Sequence, residues 1–362
     1  MYWKFKHLTK QFLERDEVIH VALATILAGE HLLLLGVPGT AKSALARSLT
    51  CSIQNANYFE WLLTKFTTPE EIFGAISLSQ LQQDKYTRIT TNKLPEAHIV
   101  FLDEIFKSSR AILNSFLTII NERVYHNNGT KLNVPLISLI GASNEIPATE
   151  DLGALYDRFM CKFWINYVSD ANFRNLLTLP TITNSPVISL QEIQHAQLET
   201  SAVKISSSTL DGIEDLRYSL AQESIYVSDR KWKQSLKLVK AKAWLDQRQT
   251  TEIEDIEILK HVVWSNPNQI TKVAKIIATT TNPLAAMLLD LEDTALEVYQ
   301  NAIKSSTPEA GAEANQKLKQ VQKELTEIAQ QNPQSTNKIK QLQLKVSNMN
   351  KKVIKEILGL EI

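Results

Sequence analysis

Three short apolar runs set the pattern of this chain. Leu32–Leu35 stops at Gly36, Ile99–Leu102 stops at Asp103 and Glu104, and Leu136–Gly141 ends at Ala142-Ser143-Asn144. Runs of this kind, with little polar alternation, predict strands buried on both faces, as in a parallel sheet. Asn57–Leu63 and Cys161–Ile165, aromatic and apolar, extend the expected sheet to five strands. Elsewhere the period is helical. Val18, Ile19, Ala22, Leu23 and Ile26 share a face of a helix within residues 1–30 that ends at Gly29. Ile112, Leu113, Phe116, Leu117 and Ile120 do the same over Ala111–Glu122.

The polar positions mark the joints. Thr67-Thr68-Pro69-Glu70-Glu71 reads as a capped helix start, closed by Gly74. Residues 75–94 are polar and mixed, which predicts a strand–helix–strand insertion over the sheet. Asn128-Gly129 predicts a hairpin turn. Pro180–Pro186 reads as a linker, and helices follow over 189–198, 209–222, 229–245 and 253–263. Beyond Pro283 the apolar positions step by three and four: Leu288 to Ala302, Leu318 to Ile328, and Ile339 to Val353. Breaks at Thr307-Pro308 and Asn332-Pro333 make these three antiparallel helices. The expected class is α/β: a core with a parallel five-stranded sheet over 1–182, an all-α segment over 183–268, and a three-helix element over 269–362.

Composition narrows the function. The 362 residues are 44% hydrophobic, enough for a sizeable core, and Lys+Arg equal Asp+Glu at 39 each. A neutral chain with no basic stripe argues against nucleic acid as partner. Two distant cysteines, Cys51 and Cys161, fit free thiols in a reducing compartment. No apolar window is long enough to span a membrane and the first residues lack the apolar core of a signal peptide, so a cytoplasmic location is expected.

The chemistry concentrates at two strand ends. Gly36, Gly39, Lys42 and Ser43 have the spacing of a phosphate-binding loop between strand and helix. The glycines let backbone N–H groups curl around phosphate oxygens, Lys42 supplies a cation, and Ser43 offers a hydroxyl to Mg²⁺. Alanine stands at 41 where the usual pattern has glycine; at a helix start it is expected to take helical angles at little loss. Asp103 and Glu104 end an apolar run, the pattern of a Walker B strand. Asp103 would hold Mg²⁺ and Glu104 would orient the attacking water. Asn144, after the third run, could fix that water, though by itself such a residue is more often part of a turn.

Together Gly36–Ser43, Phe101–Ile105, Asn121-Glu122-Arg123, Gly141–Glu145 and Leu155–Phe159 resemble the MoxR branch of the AAA+ ATPases. Ala41 is itself typical of that branch. Phe66–Gly74, Leu94–Ala97 and Tyr226–Trp232 resemble the RavA group within it. The likeness spans about residues 10–265. It implies an AAA+ αβα core, a helical lid, and a homo-hexamer that uses ATP/ADP with Mg²⁺. Gly36, Gly39, Thr40, Ala41, Lys42, Ser43, Ala44 and Asp103 become the nucleotide-binding positions, with Ser43 and Asp103 at the metal. Glu104 matches the catalytic acid, Asn144 sensor 1, Arg158 the arginine finger acting on a neighbouring subunit, and Arg230 the sensor 2 arginine. For Arg158 the residues alone also allow an ion pair with Asp157. The resemblance further implies a protein client and a partner with a von Willebrand factor A domain. RavA has an inserted domain that docks a lysine decarboxylase; the residues after the lid are expected to hold only the three-helix element, which leaves a decarboxylase partner open. Two other functions remain open: a nucleotide-gated scaffold with little hydrolysis, and a chelatase-like metal-insertion motor.

Overall fold

The computed structural model describes residues 2–147, 150–179, 187–305, 307–331 and 336–357. They group into two units, Met1–Val273 and Ala274–Ile362.

In the first unit β1 (Leu32–Gly36), β2 (Tyr58–Leu62), β3 (Ile99–Asp103), β4 (Ser138–Ser143) and β5 (Cys161–Ile165) form one sheet. Its order is β2-β3-β4-β1-β5, and every pairing is parallel. Strand β1 lies inside, flanked by β4 and β5, and Leu32 to Leu35 are fully buried. That burial is why the run carries no polar alternation. The chain leaves β1 for the far edge at β2 and then returns, so the order reverses beside β1. Such a reversal opens a crevice at the carboxyl ends of the strands. The helix Arg110–Glu122 buries Ile112, Phe116 and Ile119, and Phe116 meets Phe73 edge-on at 5.9 Å.

Several expectations are corrected. The helix expected within residues 1–30 is broken into a 3-10 turn Tyr2–Phe5 and helices Lys6–Gln11 and Asp16–Leu27. Glu14 sits in the break at φ +58°, and its carboxylate accepts hydrogen bonds from Ser169 N and Asn172 Nδ2, at the start of the helix Asp170–Leu177. The excursion over 75–94 shrinks to the helix Leu78–Leu81 under one bridge between Ile76 and Arg88, having too few apolar positions to build strands. Strand β4 begins two residues later than its apolar run and continues to Ser143. The helix expected over 253–263 is a 3-10 helix, Ile253–His261. The hairpin pairs Val124–Asn127 with Thr130–Asn133 around Asn128-Gly129. The expected linker Pro180–Pro186 lies outside the described residues. After it come helices Leu190–Ala202, Ser207–Gln222 and Asp229–Leu245.

In the second unit the helices Pro283–Ser305, Pro308–Gln331 and Thr336–Glu356 share a core of Ala295, Ala302, Leu318, Leu325, Ile339 and Val346. These are the positions stepping by three and four in the sequence. The break at Asn332-Pro333 lies outside the described residues.

Candidate functional site

The loop after β1 enters the helix Lys42–Cys51. Gly36 has φ +140°, and a Cβ there would lie 2.1 Å from the Ile165 carbonyl oxygen, so β5 leaves room only for glycine. Thr40 Oγ1 donates to the Val37 carbonyl at 2.9 Å, closing the loop on itself. Ala41 departs from expectation. It is left-handed, φ +63° and ψ +25°, rather than helical. A side chain in that region costs about 1–2 kcal/mol, so this alanine stores strain that glycine would not. Ala44 is exposed in the helix's first turn.

Lys42 Nζ donates to Gly36 O at 2.8 Å, Val37 O at 2.9 Å and Asn144 Oδ1 at 2.7 Å. Burial lowers its pKa, and the nearby Asp103 and Glu104 oppose that shift. Ser43 Oγ donates to Asp103 Oδ2 at 2.6 Å. Glu104 is left-handed too, φ +53°, and this turn at the end of β3 brings its carboxylate to Asn144, whose Nδ2 donates to Glu104 Oε1 at 2.7 Å. Glu104 Oε2 is buried and accepts no hydrogen bond; Lys107 Nζ lies 3.3 Å from it. Lys42, Ser43, Asp103, Glu104 and Asn144 therefore meet at the carboxyl ends of β1, β3 and β4. These residues fit a triphosphate with its Mg²⁺. The ammonium touches only neutral acceptors, so its charge is available to an anion. It stands with a hydroxyl at the amino end of a ten-residue helix, which favours anions. The oxygens of Ser43 and Asp103 suit a hard divalent ion.

Arg158 and Arg230 lie elsewhere. Arg158 ends the helix Glu150–Arg158 just before β5, and Arg230 opens the helix Asp229–Leu245. Both line a cavity of about 520 Å³ with Gly29, Glu30 and His31, the residues that lead into β1. Strands of five residues at about 3.3 Å per residue separate this amino edge from the loop that follows β1. Arg158 Nε is buried without a hydrogen-bond partner. Burial lowers the pKa of Arg158, and the facing Arg230 lowers it further. Arg230 Nη2 donates to Asn121 Oδ1 at 3.2 Å. Asp157, which the sequence offered as a partner for Arg158, lies 3.9 Å from Lys231. Sequence reasoning missed three further cations on this cavity, Lys162, Lys231 and Lys237. The only signal was a single charge inside the otherwise apolar β5.

The family model described as the MoxR domain in the MoxR-vWA-beta-propeller ternary systems matches residues 2–202, more than half of the chain. The chain belongs to the MoxR family of AAA+ ATPases. A model of the AAA lid domain matches residues 208–277 of this MoxR protein. Two uncharacterized proteins of Methanocaldococcus jannaschii are similar to it. MJ0079 is 43% identical over 290 residues, covering 79% of this chain and 75% of the relative. MJ0812 is 41% identical over 302 residues, covering 83% and 80%. The crystal structure of a presumed ATPase from Cytophaga hutchinsonii shares the fold, with a TM-score of 0.60 at 20% identity, over 77% of this MoxR chain and 93% of that one.

Proposed function

We propose that this MoxR protein hydrolyses ATP as a hexamer in which Arg158 and Arg230 of one copy complete the site of the next, and that the cycle remodels a protein client. The segregation of the cationic groups supports this. Five phosphate-facing residues share the carboxyl edge of the sheet, while both arginines line one cavity at the amino edge. A phosphoryl transition state gains most from a cation that arrives on closure, and a neighbouring copy can deliver one.

In this account Lys42, Ser43 and Asp103 hold the nucleotide and its Mg²⁺, which shields the phosphate charge. Glu104 orients the water and Asn144 positions Glu104. The core would span residues 1–182, the lid 183–268 and the helical element 269–362. The matched family model, drawn from systems with vWA and β-propeller components, supports a vWA-domain partner. Among the described residues no helix is long and apolar enough to cross a membrane, and we assign the protein to the cytoplasm.

Steady-state phosphate release tests the reading. Wild type should turn over ATP, while Glu104→Gln should bind ATP and release almost no phosphate. Tight ATP binding with no release by wild type would mean a nucleotide-gated scaffold instead.

A further inference from the structure

Besides Lys237, which is paired with Glu30, the amino-edge cavity holds two lysines with no role in the reading above. Lys162, the second residue of β5, is 0% exposed, and its Nζ has no hydrogen-bond partner. It lies 4.4 Å from the ring centroid of Tyr156 and 5.3 Å from that of Trp264. Lys231, beside Arg230 in the helix Asp229–Leu245, faces it, and both lysines line the cavity.

Few charges answer this pair. Asp157 lies 3.9 Å from Lys231 Nζ with its side chain 74% exposed. The Cys161 thiol is pushed up to about 12 by burial and stays neutral. Burial also raises the Tyr156 phenol, which stays neutral as well. On the far wall Glu30 is already paired with Lys237 at 2.7 Å. Arg123 adds positive charge there and donates to the Gly29 carbonyl at 2.8 Å. A buried ammonium without a counter-charge is costly. Accordingly burial, then Lys231, push the Lys162 pKa well below the usual lysine range. The cavity is short of negative charge.

We propose that Lys162 and Lys231 act with Arg158 and Arg230 as the receptor for the terminal phosphates of a nucleotide held by an adjoining copy of the chain. This rests on the proposal that Arg158 serves the neighbouring site. Before the phosphate enters, burial and the neighbouring Lys231 disfavour the charged form of Lys162. Its arrival supplies the counter-charge that the buried Lys162 amine lacks and so favours the ammonium form.

Lys162→Met tests this in the full chain, because it keeps the stem and removes the amine. The nucleotide-free variant should melt above wild type, since an unpartnered buried polar group is gone. Its ATP turnover should nevertheless fall about tenfold or more. Mixing it with Lys42→Ala copies, which lack nucleotide but keep an intact cavity, should raise turnover again. Should Lys162→Met not fold, Lys231→Met takes the same measurements. Wild-type turnover by the variant, or a loss that mixing leaves unrepaired, overturns the proposal. Arg158→Ala mixed with Lys42→Ala is the control. If that mixture recovers and the lysine mixture does not, only the lysine proposal falls; if neither recovers, action across copies falls with it.

Discussion

Ser43 Oγ donates to Asp103 Oδ2 across 2.6 Å, joining residues sixty positions apart. The bond links the helix after β1 to the last residue of β3, although β4 lies between those strands. Asn144, just beyond β4, fills the gap and touches both Lys42 and Glu104. The side chains at this edge are thus held in place by one another. A preorganised site of this kind does not spend binding energy on assembling itself.

Asn144→Ala should separate chemistry from binding. Lys42 keeps two carbonyl acceptors, so ATP affinity should change little. Glu104 loses the amide that orients it, and kcat should fall about 10- to 100-fold. Phosphate release and calorimetric ATP titration read the two effects. A loss confined to affinity would contradict this role.

Ala41→Gly should stabilise the protein. The left-handed alanine costs about 1–2 kcal/mol, and glycine gives back about 0.5–1 kcal/mol as entropy of the unfolded chain. The expected net gain is about 0.5–1 kcal/mol, read as a higher denaturant midpoint with unchanged slope. Ala41→Val should lose stability, because a β-branched residue fits this region worse. A destabilised glycine variant would show that the position is not strained.

Glu14 gives the fold an acid limit. Hydrogen bonds from the Ser169 hydroxyl, then Asn172 and the Ser169 backbone, hold its carboxyl down at about 2. A carboxyl depressed in the folded state contributes stability that is complete above its unfolded value of about 4.3. That contribution drains away as pH falls toward 2. Melting curves of wild type and Glu14→Gln should therefore differ most above pH 5 and converge in acid. A constant difference across that range would contradict the assignment.

The strands were legible because each is buried on both faces, so Leu32–Leu35 and Ile99–Leu102 carry no polar alternation to confuse the period. Their order was not, since register and neighbours depend on pairing between distant segments. Local propensity misjudged Ala41, because closure of the loop between Gly36 and Lys42 sets its backbone and helix preference does not. It also ran one helix through Glu14, whose left-handed turn is fixed by contacts with residues near 170. Lys42, Ser43, Asp103 and Glu104 announced themselves by spacing. The sequence named Arg158 and Arg230 but not their shared cavity, which only the packing of the helix Asp229–Leu245 near β5 creates. Lys162 was passed over because one charge in a short strand ordinarily faces water, and here Tyr156 and Trp264 cover it.

The central claim is that a triphosphate bound at the carboxyl edge of one copy is cleaved only with Arg158 from another. Mixing Lys42→Ala with Arg158→Ala copies, each inactive alone, and measuring steady-state phosphate release tests it most directly. Recovery of turnover in the mixture is the predicted result. A silent mixture that nonetheless forms joint oligomers, or full activity in Arg158→Ala alone, would contradict it.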